Sequence, residues 1–393
     1  MGDTIKNLRV TLWGVQGSCP YFPTPHEVAE FVRMAAVHTL TKAFEDLAQR
    51  MREGKVSYET WLGGPPTKQT IEEYQRKLGL PNLPVFGGDT TCIEVEDADG
   101  NIVILDGGTG IRNCALNLVN KKWADRKDRT LYIFGSHEHL DHRNGLPFAT
   151  FCFVRPNSYT IKIYGNGSFL ASLDDRFGLF SRETKKVVSR DAPVNYAIMA
   201  AKFEGYEIRD IEEDGTIPPH GPWGVHDLGS PVKVGRMTIT PFEVYHGTTP
   251  CLGYVVERKG KKFVFCTDHE LRHGNDPKHP SQVESERAEA RLRMHLQDAH
   301  AAYMDGQYFM AEYMGIRAIG HASAAPRIDW GHSCVEDVVA RAQQCRVKRT
   351  YIGHHDPDRE WGEQVKTDEE LARLSRDKPY HVELAKGSTV IDI

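Results

Sequence analysis

The spacing of hydrophobic residues along this chain predicts an alternation of strands and helices. Short apolar or alternating runs predict strands at residues 8–13, 91–96, 102–105, 130–134, 160–164, 232–245 (two strands around Gly235), 251–257, 262–267, 301–304 and 349–352. Helical spacing predicts helices at residues 24–55, 70–78, 283–296, 334–345 and 371–376. The segment 168–205 is mixed and helical in part, and the final residues form an edge strand. This alternation predicts one layered α/β domain over residues 1–393.

A helical region at about residues 21–84 interrupts the predicted sheet. Its first helix has a strong start signal, because Thr24 can cap it, Pro25 suits its first position and Glu27 completes a capping box. An apolar stripe follows, formed by Val28, Phe31, Val32, Ala35, Leu40, Phe44 and Leu47. We expect this insertion either to cap the functional site or to form a contact between subunits.

The strand predicted at 130–134 ends in a dense group of polar residues, Gly135-Ser136-His137-Glu138-His139-Leu140-Asp141-His142. Imidazole and carboxylate together suit zinc, manganese or iron. His137 and His139 share one face if the strand continues, and Asp141 and His142 follow where the chain turns. The alternative is a polar loop with surface histidines. Four potential ligands at this density favour a metal site.

Other predicted strands also end in a single acidic or imidazole side chain, at Asp106, His246, Asp268 and His354. Side chains at strand ends on one sheet edge can converge, and a rigid sheet holds metal ligands at the distances they need. The first predicted set of ligands is His137, His139 and His246, and the second is Asp141, His142 and His354. Asp268 is the predicted carboxylate that bridges the two sets. Two divalent ions roughly 4 Å apart can share a hydroxide, lower its pKa and clamp both oxygens of a displacement at phosphorus.

Two ligand positions have competitors nearby in the sequence. His355 lies next to His354, and adjacent residues on a strand point in opposite directions, so only one of the two is a ligand. His269 lies next to Asp268 in the same way. Asp305 also follows a short strand and is a second rival to Asp268.

Three further histidines and Asp106 have more than one interpretation. His332, just before a helix, is a candidate general acid for the leaving oxygen or a residue that stabilises charge in the transition state. Asp106 either caps a helix or orients a metal-bound histidine. His220 and His226 lie in a stretch rich in Gly, Pro and His, at residues 214–230, that predicts a loop. We expect them at the surface or at the rim of a substrate site.

Composition and charge narrow the classes of function. The chain has 393 residues and a formal net charge of −5, which does not favour binding to duplex nucleic acid or anionic membranes. Its eight cysteines lack Cys-x-x-Cys spacing, which argues against a cysteine zinc site and a disulfide framework. No apolar run approaches the ~20 residues of a membrane span, and the first residues contain no apolar signal core. We therefore expect a cytoplasmic protein.

These motifs resemble the metallo-β-lactamase superfamily. The resemblance rests on the His-x-His-x-Asp-His cluster, on Asp106-Gly107-Gly108-Thr109-Gly110 and on the later single residues His246, Asp268 and His354. Four stretches look like its phosphodiesterase branch: Gly14-Val15-Gln16-Gly17-Ser18, Gly87-Gly88-Asp89-Thr90-Thr91-Cys92, Gly331-His332-Ser333 and His354-His355-Asp356-Pro357. That branch includes transfer-RNA 3′ processing nucleases and cyclic-nucleotide phosphodiesterases. The helical insertion and the segment 156–230 depart from the pattern.

The resemblance implies a fold, a cofactor and a substrate class. The fold is a four-layer αββα sandwich, here with a helical insertion near the N-terminus. The cofactors are two divalent metal ions, zinc in most members and manganese in some. It implies His332 as the catalytic histidine, and we assign Asp141 to the catalytic group as well. The implied substrate is a small-molecule phosphodiester such as a cyclic nucleotide, and the implied assembly includes a homodimer.

Three other interpretations fit part of the sequence. A thioester, lactone or β-lactam hydrolase would use the same site. A di-iron redox protein is disfavoured because such superfamily members usually have glutamate where His139 stands, and oxygen ligands suit iron better. A binding module without metal is disfavoured because buried unpaired Asp and His are costly.

Overall fold

Two β-sheets form the centre of the protein. A computed structural model describes residues 4–78, 85–120, 129–155, 158–181, 199–211 and 218–393. Within these residues the first sheet contains the strands β1 (Leu8–Gly14), β2 (Cys92–Asp97), β3 (Ile102–Leu105), β4 (Thr130–Phe134), β5 (Thr160–Gly165), β6 (Lys202–Arg209), β7 (Gly224–Asp227) and β15 (Thr389–Asp392). Their order across the sheet is β15-β1-β2-β3-β4-β5-β6-β7, and the pairs from β3 to β7 are parallel.

The second sheet is formed by the later part of the chain. In the described ranges it contains β8 (Val232–Val234), β9 (Met237–His246), β10 (Thr249–Arg258), β11 (Lys261–Cys266), β12 (Ala301–Asp305), β13 (Arg349–Gly353) and β14 (His381–Leu384). The order is β14-β13-β12-β11-β10-β9-β8. The pairs among β8 to β11 are antiparallel and those among β11 to β14 are parallel.

Helices cover the outer faces of both sheets. In chain order, the helices of the described residues are α1 (Pro25–Arg52), α2 (Tyr58–Trp61), α3 (Lys68–Leu78), α4 (Ile111–Asn120), α5 (Gly167–Phe177), α6 (Pro280–Leu296), α7 (Met310–Tyr313), α8 (Val335–Gln344) and α9 (Trp361–Ser375). Helices α4 and α5 pack on the first sheet, and α6, α8 and α9 pack on the second. None of the helices in this part of the chain is long and apolar enough to cross a membrane.

Three apolar layers make up most of the core of the described residues, and a smaller cluster surrounds Tyr308 and Tyr313. Val10 and Val103 of the first sheet pack with Ile239 and Phe263 of the second, so one apolar layer lies between the sheets. The second layer lies between the first sheet and its helices, and the third lies between the second sheet and its helices. Helices, sheet, sheet and helices therefore follow one another, and the predicted four-layer αββα fold is confirmed.

The chain divides into two compact units. The first comprises Met1–Tyr21 and Phe86–Ile393, and the second is Phe22–Val85, in the region where the sequence predicts a helical insertion at about 21–84. Helix α1 begins as predicted, with Thr24 as cap and Glu27 completing the capping box. No residue of α1 is buried, so its apolar stripe lies largely in contact with solvent.

The sequence interpretation differs from the structure in several places, among them two strands and one helix face. Strand β7 lies inside the predicted loop 214–230, because its backbone pairs in parallel with β6, a partner that local composition does not reveal. Strand β14 is absent from the sequence prediction and pairs with β13. Helix α6 is expected from its charge to be a solvated surface helix, but one face of it buries Ser285, Glu289 and Leu292.

Candidate metal centre

The predicted site residues lie at the carboxyl ends of strands in both sheets. Asp106 follows β3, His137 lies shortly after β4, Asp268 follows β11 and His354 follows β13. Asp106, Asp268 and His354 have positive φ angles of 62°, 42° and 55°. Residues other than glycine rarely adopt this left-handed conformation, and such strain concentrates at functional sites.

The structure brings the seven predicted ligands together in two groups. His137, His139, His246 and Asp268 offer nitrogen and oxygen atoms that all lie within 4.8 Å of one another. Asp141, His142 and His354 form the second group by the same measure. These are the two sets that strand-end positions predicted; that they bind metal stays a prediction.

Asp268 lies between the two groups. Its Oδ2 is 3.4 Å from His137 Nε2 and 3.5 Å from His246 Nε2. Its Oδ1 is 3.3 Å from His142 Nε2 and 3.2 Å from His354 Nε2. One oxygen therefore faces each group, which is the arrangement that a bridging carboxylate requires.

Asp141 completes the second group. Its Oδ2 is 3.1 Å from His142 Nε2 and 3.2 Å from His354 Nε2. The same oxygen accepts a hydrogen bond of 2.8 Å from the backbone N–H of Ser18. This contact fixes the carboxylate toward the two histidines.

Two buried nitrogen atoms of the cluster test whether a cation fits. The Nε2 atoms of His137 and His142 are fully buried and make no hydrogen bond of acceptable geometry, although carboxylate oxygens lie 3.4 Å from the first and 3.1 Å from the second. Buried polar atoms without partners are costly and rare. A divalent cation in each group would satisfy these nitrogen atoms, so the residues present fit a two-metal site.

Asp106 orients two of the candidate ligands. Its carboxylate accepts hydrogen bonds from His142 Nδ1 at 2.8 Å and from the backbone and hydroxyl of Ser136. The Ser136 oxygen lies 3.0 Å from His137 Nδ1. Both histidines are thereby held with Nε2 toward the cluster, a common arrangement behind metal ligands. Asp106 makes the contact expected of an orienting carboxylate.

Two further ligands are oriented by groups that the sequence did not reveal. His246 Nδ1 donates to the carbonyl of Gly331 at 2.8 Å, and His354 Nδ1 donates to Gln307 Oε1 at 3.0 Å. A backbone carbonyl leaves no residue-type signal, and a single glutamine near a strand end is common. Ser136 lies inside the central motif, but its residue type alone does not indicate an orienting role.

His332 lies beside both ligand groups. Its ring centroid is 4.6 Å from that of His354 and 5.2 Å from that of His246. Its Nδ1 donates to Asp305 Oδ2 at 3.0 Å. Asp305 is buried and accepts from His332, so it supports this histidine, and Asp268, not Asp305, lies between the two candidate groups.

The remaining competitors lie outside both groups. His355 Nε2 donates to the carbonyl of Ala385, and His269 pairs with Glu289. His220 contacts Glu207, and His226 Nε2 donates to the carbonyl of Ser230. His354 and Asp268 are therefore the residues that the structure brings to the cluster.

Burial and charge shift the pKa values of the cluster in opposite directions. Burial lowers the pKa of His246 to about 4 and that of His137 well below its usual range. Burial raises the pKa of Asp268, but His142 and His354 outweigh this effect and hold it well below the usual range. Burial lowers the pKa of His354, but Asp268 and Asp141 raise it to about 9. Metal ligands must be deprotonated, so cation binding at His354 would release a proton.

Comparison with known proteins identifies the family. A family model described as "Beta-lactamase superfamily domain" matches residues 101–355, which is more than half of the chain. No curated protein matches the sequence.

The chain is similar to several solved structures at low sequence identity, and two of them, with TM-scores of 0.50 and 0.53, share its fold. A diphosphatase from the PhnP family is 14% identical with a TM-score of 0.50, over 98% of this chain and 97% of that chain. Zn(2+)-bound PqqB from Methylobacterium extorquens is 12% identical with a TM-score of 0.53, over 98% and 100%. The short form of human tRNase Z is 14% identical with a TM-score of 0.47, over 98% and 99%. The chain belongs to the beta-lactamase superfamily, and it has the metallo-β-lactamase fold that its motifs predicted.

Proposed function

We propose that this protein is a hydrolase that uses two divalent metal ions to cleave small phosphodiesters. Members of its superfamily are hydrolases, and the His and Asp groups fit divalent cations. The observation that carries the phosphodiester assignment is His332, an imidazole held by Asp305 next to both ligand groups. Cleavage of a phosphodiester expels an alkoxide, and a positioned acid accelerates such a step.

The residues of the site have different proposed roles in the reaction. Two bound divalent cations would supply positive charge for the phosphate oxygens and an activated water at neutral pH. Asp268 and Asp141 are the carboxylates that would hold them. Because His332 Nδ1 keeps its hydrogen for Asp305, Nε2 is the ring nitrogen that faces the leaving oxygen. Only the doubly protonated imidazolium carries a proton on Nε2, so that form, with the Asp305 carboxylate as its counter-charge, would donate to the leaving oxygen and return to the neutral Nδ1–H ring. A diphosphatase and a zinc-bound protein among the similar structures make hydrolysis at phosphorus and zinc the first choices to test, with manganese as the alternative.

The expected binding partners follow from the net charge of the protein and from the small size of the proposed substrate. A net charge of −5 favours a small phosphodiester over duplex nucleic acid, because a polyanion needs a basic surface. A homodimer and a cytoplasmic location are part of the proposal and are tested by mass measurement and by fractionation.

The function is tested on metal-stripped protein reloaded with zinc or manganese. We expect metal-dependent hydrolysis of bis-(p-nitrophenyl) phosphate or of a cyclic nucleotide. Glutathione thioesters and lactones serve as comparison substrates. Turnover of these esters without turnover of any phosphodiester would instead assign the protein to the thioester and lactone hydrolases.

The substitution His332→Ala tests the proposed acid. We expect kcat for a phosphodiester with an alkoxide leaving group to fall about 10²- to 10⁴-fold, because the leaving oxygen loses its proton donor. Metal content, measured by elemental analysis, should not change. His226→Ala, which removes a histidine outside both ligand groups, is the matched control. Unchanged kcat in His332→Ala would remove His332 from the mechanism.

A further inference from the structure

Arg327 lies between two aromatic rings. Its Cζ is 4.3 Å from the ring centroid of Trp330 and 5.6 Å from that of Tyr308. No described residue offers its guanidinium a carboxylate partner. The nearby Arg317 differs, because it lies over Phe309 and also pairs with Glu312 at 2.8 Å. Arg327 therefore presents a partly exposed positive charge that has no ion-pair partner within 4 Å among the described residues.

Arg327 and Trp330 lie next to the candidate metal centre. Trp330 is half exposed, and it is followed directly by Gly331 and His332. The Gly331 carbonyl accepts from His246 of the first ligand group at 2.8 Å. Tyr308 is buried, and its ring centroid is 6.0 Å from that of His332. Trp330 is thus two residues from His332 in the chain, and the Tyr308 ring is near both the Arg327 guanidinium and the His332 ring, which places the cation and the exposed ring beside the candidate site.

Buried hydrogen bonds hold the segment in place. Glu270 is fully buried and accepts from the backbone N–H groups of Asp329 at 2.9 Å and Gly331 at 2.8 Å. The backbone N–H of Arg327 donates to the Tyr313 carbonyl at 2.8 Å. A recognition group is effective when its support is rigid, since little ordering then accompanies binding.

We propose that Arg327 and Trp330 recognise the half of the substrate that does not leave. Arg327 attracts the negative charge of the phosphodiester, and the exposed face of Trp330 stacks on a planar ring attached to it. Guanidinium groups bind phosphate through charge-assisted hydrogen bonds, and indole rings stack on planar groups. The inference rests on the proposed function, and it makes the protein selective for phosphodiesters with an aromatic substituent over those with a small alkyl group.

Two substrates with the same leaving group test this selectivity. After p-nitrophenolate leaves, the phosphate from bis-(p-nitrophenyl) phosphate still carries an aromatic group, whereas that from methyl p-nitrophenyl phosphate carries a methyl group. With metal-loaded protein, we expect Trp330→Ala to raise KM about tenfold for the aromatic diester only, as loss of one stacking contact does. Trp330→Phe keeps a ring and should keep most of the preference. Ile316→Ala, which truncates another exposed apolar residue, is the control.

Substitutions of Arg327 separate its charge from its packing. We expect Arg327→Met to raise KM about tenfold for both diesters with kcat unchanged, because both carry the phosphodiester charge. Arg327→Lys should recover part of the loss. Arg317→Met removes an arginine that also lies over a ring but is already paired, and it should leave KM unchanged.

The outcomes distinguish this inference from the proposed function. If the metal-loaded wild-type protein cleaves neither of these diesters nor a cyclic nucleotide, the proposed function fails. If it cleaves them and the Trp330→Phe, Trp330→Ala, Arg327→Lys and Arg327→Met proteins have wild-type KM values, the inference is overturned. A change in melting temperature alone, with KM values retained, would show that Arg327 only covers the Tyr308 ring, and it would overturn the inference as well.

Discussion

At the scale of single residues, the candidate site depends on the left-handed backbone at His354 as well as on acidic and imidazole groups at strand ends. Those groups are visible in the sequence, but the choice between His354 and His355 is not. Strand alternation says that adjacent residues point in opposite directions, but His354 adopts a left-handed φ of 55°, which periodicity does not predict. Ser136 and Gln307 were missed as orienting groups because their contacts with the cluster exist only in the folded chain.

Gly331 is a residue where a single methyl group should disturb the metal centre. A Cβ added at Gly331 would lie 2.0 Å from His246 Nδ1, and its φ of 88° also disfavours other residues. We expect Gly331→Ala to displace His246 and lower zinc affinity about 10- to 100-fold, as loss of an orienting contact does. Competition with a chromophoric chelator measures this change.

Gly260→Ala is the matched control for this prediction. Gly260 has a φ of 73°, and nothing lies within 4 Å of the position that a Cβ would take there. It therefore carries the same backbone strain, about 1 kcal/mol, without the collision. Equal zinc affinity in both variants would show that Gly331 does not position His246.

The Asp106 carboxylate should matter for metal affinity although it is not itself in either ligand group. Asp106→Asn keeps the shape but removes the charge that accepts from His142 and Ser136. We expect zinc affinity to fall about 10- to 100-fold, measured by calorimetric titration of the metal-free protein. Asp392→Asn, at a surface pair with Arg9, should leave zinc affinity unchanged. A two-ion titration curve identical to wild type would contradict the role of Asp106.

At the scale of elements, the strands that supply the core were the most predictable. Their apolar runs are continuous because both faces are buried, as for β3 and β11. The structure differs from the sequence prediction where an element depends on a distant partner. Strand β7 exists because β6 offers it hydrogen bonds, and helix α6 has a buried face because α8 supplies a partner for Glu289.

The Glu289–Arg341 pair links α6 and α8, and it should contribute to stability at neutral pH. Burial raises the pKa of Glu289, but Arg341 and His269 outweigh this effect and hold it far below its usual range. Because the pKa is depressed in the folded state, the contribution is present above the unfolded value of about 4.3 and is lost as pH falls below it. We expect Glu289→Gln to lower the free energy of unfolding by about 3 kcal/mol at pH 7.

Urea unfolding at several pH values checks this prediction. The difference between wild type and Glu289→Gln should shrink as pH falls below about 4.3. Glu284→Gln, an exposed position on the same helix, should match wild type throughout. A difference that stays constant with pH would mean that packing, and not the charge of Glu289, stabilises the helix pair.

At the scale of the whole molecule, the periodicity of the sequence indicated only a layered α/β domain, and the four layers were expected from the resemblance alone. Within the second unit, Phe22–Val85, the ring of Trp61 packs edge to face against that of Tyr74, and the Tyr74 hydroxyl donates to the Asp46 carboxylate. The pattern of apolar and polar residues does not predict the function of such an insertion.

The first part of the first unit ends at Tyr21 and its second part begins at Phe86, and these two points lie close together. The backbone N–H of Tyr21 donates to the Gly88 carbonyl at 2.9 Å. A short glycine–serine linker can therefore replace residues 22–85 without stretching the first unit. We expect the shortened protein to fold cooperatively and to bind two zinc ions per chain, since the ligands of both groups lie in the first unit.

The shortened protein also decides between the two roles considered for the insertion. If residues 22–85 cap the site, KM for bis-(p-nitrophenyl) phosphate should change while the mass in solution stays the same, because a cap contacts substrate and not another chain. If they form a subunit contact, light scattering should show a lower oligomeric state with KM retained. Failure to bind zinc would contradict the independence of the first unit, because every candidate ligand is still present in the shortened chain.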